Sequence, residues 1–125
     1  MALLRSRQTV LSVSPAGATV VGPTRGIQPN FHDDVPNHVQ GFLLTAHIVQ
    51  SGAGTVDCTV EGSADGTNWF PLFATTQTTA AGQARNQVQA VSQMPPWVRA
   101  TLTCAGGATA TCQVFLLSDG SFTFA

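Results

Sequence analysis

The chain has 125 residues, five arginines, six acids, no lysine and no tyrosine, with a formal net charge of -1. Charged residues make up 9% of it, against about 25% in an ordinary globular protein, so neutral polar groups must cover the surface. Such a balance gives no long-range field to attract a phosphate backbone or an anionic membrane, which argues against direct partners of either kind. The length suits one domain with a real core. No apolar run approaches the roughly 20 residues that span a bilayer. Met1-Ala2-Leu3-Leu4 leads at once into Arg5-Ser6-Arg7, too short for the apolar part of a signal peptide, and synthesis in the cytoplasm is the expectation.

Residues 1–38 form the first region. Pro15, Pro23, Pro29 and Pro36 alternate there with Gly17, Gly22 and Gly26, which predicts only short strands, near 9–14 and 18–21. Leu3, Leu4, Val10, Leu11, Val13, Val20, Val21 and Ile27 are too apolar for a solvated tail. They predict an extended arm that lies on a neighbouring subunit, with edge strands of the chain's own sandwich as the competing reading. The segment Phe31-His32-Asp33-Asp34-Val35-Pro36-Asn37-His38 offers His32, Asp33 and His38 to a metal, but its spacing matches no known ligand set and a solvated loop is favoured.

Residues 39–125 carry period-two alternation and almost no helical period. In 41–50, Phe42, Leu44, Ala46 and Ile48 share the better-buried face and His47 lies opposite. In 55–61, Val56, Cys58 and Val60 share one face. Ser51-Gly52-Ala53-Gly54 between them predicts a hairpin. Asp65-Gly66 marks a second turn, with Gly66 at positive φ and Asp65 bonding local amides. The strand that follows, 68–73, contains Pro71 and so belongs at an edge. A small-polar stretch, 74–84, precedes a polar strand at 87–91. Residues 97–104 and 108–117, joined by Ala105-Gly106-Gly107, predict another hairpin. Ser118-Asp119-Gly120 then turns the chain into a short closing strand. Seven to nine short strands with Gly-rich turns predict an all-β protein, an antiparallel β-sandwich or jelly roll.

Little in the sequence points to catalysis. There is no Gly-x-Ser-x-Gly elbow, no His-Glu-x-x-His and no phosphate loop before a helix, so a non-enzyme without cofactor or metal is expected. Cys58, Cys104 and Cys112 all fall on apolar faces, where a thiol behaves as a small core residue. Free buried thiols are the first expectation and a disulfide involving Cys58 the second; a 104–112 pair is disfavoured by the register of the predicted hairpin. Trp69 carries too much apolar surface for a small core to spare and is placed inside. Arg99, next to an inward Val98, points outward toward a neighbouring chain or loop.

The order "VEGSADGTNWFPL" then "PPWVRATLT", preceded by "GFLLTAHIVQSGAGTVDCTVEGS", resembles small β-sandwich virion proteins of tailed bacteriophages over about residues 39–117. Discoidin-type carbohydrate-binding domains share the Asp-Gly-x-x-Trp and aromatic-Val-Arg order and are the rival match. The phage resemblance implies a head decoration or cement protein on the capsid surface, self-associated as a trimer and bound to the major capsid protein. A neck, tail or fibre component is the nearest alternative. In both families the tryptophan after the turn packs inward.

Overall fold

The computed structural model describes residues 6–17, 19–29, 31–32, 35–36, 41–91, 94–118 and 122–124. Their regular elements are all strands: β1 (Ser6–Ala16), β2 (Val20–Val21), β3 (Arg25–Pro29), β4 (Phe31–His32), β5 (Val35–Pro36), β6 (Phe42–Ser51), β7 (Thr55–Ser63), β8 (Phe70–Ala74), β9 (Ala84–Val91), β10 (Trp97–Ala105), β11 (Thr109–Ser118) and β12 (Phe122–Phe124). These segments outnumber the seven to nine expected, residues 20–36 alone contributing four short pieces. A four-stranded sheet has the order β1-β11-β6-β9. A six-stranded sheet has the order β12-β3-β10-β7-β8, with β2 also on β10. Between the sheets β11 lies against β10, and β1 against β10 and β12; the two strand orders are those of a jelly-roll sandwich.

Neither of the two Gly-rich links expected to close a hairpin does so. β6 pairs with β11 and β9, while β7 pairs with β10 and β8. The link at 52–54 therefore carries the chain from one sheet to the other, and the link at 106–108 does the same between β10 and β11. The two crossings lie against each other. Gly54 has φ +117, and a Cβ on it would stand 2.1 Å from the Ala105 carbonyl oxygen, so only glycine fits there. Gln50, 1% exposed, ties the first crossing by donating from Nε2 to the carbonyls of Gly52 at 3.1 Å and Gly54 at 2.9 Å.

The core lies between the sheets, and the alternation places it. Leu44, Ala46 and Ile48 from β6, Val56, Cys58 and Val60 from β7, Val98, Ala100 and Leu102 from β10, and Ala110, Cys112, Val114 and Leu116 from β11 are all buried. Phe122 closes one end, edge-on to Phe42 with centroids 5.7 Å apart. As predicted from Pro71, β8 is an outer strand of its sheet.

The described part of the first 38 residues adds β1 to the edge of the four-stranded sheet and β2 and β3 to β10, with β3 lying between β10 and β12, while β4 and β5 pair only with each other. β1 runs 11 residues along β11, longer than predicted, and Pro15 falls in the register shift between Val13 and Ala16, where a missing N–H is tolerated. A second shift between Thr9 and Leu11 is a bulge that turns two consecutive side chains inward. Val10 and Leu11 are accordingly 0% and 5% exposed.

Candidate interaction surfaces

The residues expected to reach a neighbour fall into three groups. Val10 and Leu11 are buried in the chain's own core, and Val13, Val20 and Ile27 are half-buried against it. For these five the in-trans arm is corrected: β1 adds to β11, and β2 and β3 add to β10, so the sandwich itself supplies the surface they need. Val21 remains 57% exposed. Leu3 and Leu4 lie outside the described residues, as do Asp33 and His38 of the candidate metal loop and Asp119 of the last turn.

Arg99 points outward from the six-stranded sheet. Its Nε donates to Glu61 Oε1 at 3.2 Å, across the β10–β7 register, and its guanidinium lies 4.2 Å from the centre of the Trp69 ring. Thr101 Oγ1 donates to the same carboxylate oxygen at 3.2 Å. Trp69 is half-buried here on the outside of the sheet and is absent from the core, which corrects its expected inward packing. The reason is local. Ser63, Asp65 and Asn68 build a tight bonded loop that lifts the chain off β7 before β8 begins, so Trp69 arrives above the sheet and meets Arg99. Asp65 accepts from the amides of Thr67 and Asn68, each at 2.8 Å. Those amides and the Asn68 and Ser63 side chains hold its carboxyl far below the usual carboxylate range. Gly66 has φ +79, as the turn reading required.

The outer face of the four-stranded sheet is chemically different. Its cross-strand rows read Arg7, Leu117, Leu43, Ala90; then Thr9, Phe115, Thr45, Val88; then Ser12, Gln113, His47, Asn86. Arg7 is the single charged residue in these rows, and it lies over Phe115 at 4.7 Å. His47 Nδ1 is hydrogen-bonded to Asn86 Oδ1. The strand β9 is turned inside out relative to an ordinary amphipathic strand. Arg85, Gln87 and Gln89 lie on the side shared with Ile48, Ala46 and Leu44, while Val88 and Ala90 face outward, Val88 at 63% exposure. Sequence reading missed this face. Its signal is the unbroken apolar run Val114-Phe115-Leu116-Leu117, the pattern of a strand covered on both sides.

Among the described residues no group of three His, Cys, Asp or Glu side chains could hold a metal, and no helix is long and apolar enough to cross a membrane.

No family model and no curated protein matches the sequence. Solved structures resemble it in fold. PBSX exported protein XepA aligns with a TM-score of 0.55 and 12% identity over 93% of this chain and 37% of that one. PirA gives 0.48 and 12% over 89% and 91%, and a CBM4 structure gives 0.38 and 7% over 95% and 78%. This chain spans about 37% of the length of XepA, and at such identity what the two share is the β-sandwich.

Proposed function

We propose that the protein is a non-enzymatic structural subunit of a phage virion, a capsid decoration or cement protein that works by burying surface. The observation that carries this reading is the outer face of the β1-β11-β6-β9 sheet, nearly free of charge and with the apolar side of β9 outward. A face of this kind gains from contact through its apolar area, at about 25 cal/mol per Å², with Arg7 the one charge in its rows to be desolvated. Its partners would be further copies of the chain, as a trimer, and the major capsid protein. Nucleic acid and membrane have no counterpart in the charge pattern. The virion setting rests on the resemblance of residues 39–117 to phage proteins, and the β-sandwich shared with PBSX exported protein XepA is compatible with it.

A carbohydrate-binding module needs an open aromatic face. Trp69 has one face covered by the Arg99 guanidinium at 4.2 Å, which leaves a sugar at most the other face. Sedimentation of the purified chain with and without capsids tests the proposal. Val88→Lys and Thr45→Lys on the outer face should abolish self-association and capsid binding at unchanged melting temperature. Full capsid binding by both variants, or a specific glycan bound on an array, would overturn it.

A further inference from the structure

We propose that Cys58 and Cys112 are a latent cross-sheet disulfide, open in a reducing cytosol and closed when the chain folds in the presence of a disulfide oxidant. The two sulfurs come from opposite sheets, Cys58 from β7 and Cys112 from β11, and lie 4.0 Å apart. Both residues are free cysteines buried in the core. Each sits mid-strand with neighbours on both sides. Cys58 is opposite Leu102, and its N–H donates to Thr75 Oγ1 at 3.1 Å. Cys112 is flanked by Val13 and Ile48. Closing the contact from 4.0 Å to the bonded distance of about 2.05 Å takes about 2 Å of sulfur movement, shared between side-chain rotation and any approach of the two strands.

The reaction is thiol–disulfide exchange with a small-molecule disulfide such as oxidised glutathione. One cysteine, as thiolate, attacks the oxidant, whose S–S bond breaks and releases one thiol. The second cysteine then displaces the other half from the mixed disulfide. Two protein S–H bonds are lost, one S–S bond forms, and the two electrons and two protons leave on two molecules of reduced thiol. Access decides when this happens. Both sulfurs are buried in the core, Cys58 at 1% and Cys112 at 0% exposure, out of reach of an oxidant in solution, so the folded dithiol reacts slowly. A chain still folding has no such protection.

The bond would close a loop running from residue 58 to residue 112 and cross-link the two sheets, which should raise the melting temperature by about 10 °C. The full-length chain, unfolded in urea, is refolded with oxidised and reduced glutathione and mapped by non-reducing peptide mass spectrometry, in parallel with Cys104→Ala and Cys58→Ala. Expected are a 58–112 linked peptide and a mass lower by two hydrogens. The rise in melting temperature should vanish with dithiothreitol, be kept by Cys104→Ala and be lost in Cys58→Ala. A map showing 104–112 or 58–104 as the main link, a chain that stays fully reduced after refolding in the oxidant, or a bonded form that melts lower than the dithiol would each overturn the proposal. The wild-type map decides the linkage even if Cys58→Ala does not fold.

Discussion

Replacing Val10 and Leu11 together by alanine tests whether β1 belongs to the sandwich. Both side chains are essentially buried, at 0% and 5% exposure, in the core cluster. The double variant removes about five carbons, which at about 0.8 kcal/mol each amounts to about 4 kcal/mol of transfer free energy. Residual cavity raises the expected loss to about 5 kcal/mol. A domain of this size is stable by on the order of 6–19 kcal/mol, so the variant should still fold in the cold but unfold early in urea. With a slope of about 2 kcal/mol per molar, the far-UV circular dichroism midpoint should drop by about 2 M. Val21→Ala, at a side chain 57% exposed, should change stability by less than about 0.5 kcal/mol. If the double variant loses under about 1 kcal/mol, residues 10 and 11 are not held in the core in solution, and the reading of this segment as an arm for a neighbour regains its place.

Gly54→Ala should cost about 3 kcal/mol or more, because its φ of +117 and the Ala105 carbonyl at 2.1 Å leave no room, whereas Gly82→Ala, at φ +81 with nothing within 4 Å, should cost about 1 kcal/mol; thermal melts of the pair separate backbone strain from the clash between crossings. A double-mutant cycle on Glu61→Ala and Arg99→Ala should give a coupling of about 0.5–1 kcal/mol, as expected for a pair that remains partly solvated, and Arg99→Ala should shift the emission of Trp69 as its ring face opens to water. Asp65 has its folded pKa well below the ordinary value of 3.8, so its contribution is fully present above that value and falls as pH drops through it toward the folded pKa. Asp65→Asn should accordingly flatten the acid limb below about pH 4 in a pH series of urea melts, and an unchanged limb would count against the loop bonds as the cause.

Which residues of β6, β7, β10 and β11 face inward was legible in the sequence; which sheet each strand joins was not. Alternation in 42–50, 55–61, 97–104 and 109–117 correctly placed Leu44, Val60, Leu102 and Val114 inside, because one buried face imposes a period of two whatever the partner strand. A hairpin and a sheet-to-sheet crossing both send their apolar faces to the core and both need a glycine link. The local signals at 51–54 and 105–107 are therefore the same for either, and the choice is made by long-range pairings such as Cys112 with Ile48 and Cys58 with Leu102. Trp69 was misplaced for a related reason: its side is set by the bonded loop at 63–68, which breaks the strand parity. The cysteines show the consequence. Judging a 104–112 bond by its place in a hairpin loses its basis once β10 and β11 lie in different sheets, and the same crossing brings Cys112 from one sheet to within 4.0 Å of Cys58 in the other. Parity alone could show three inward thiols, but the contact between two of them follows from the topology.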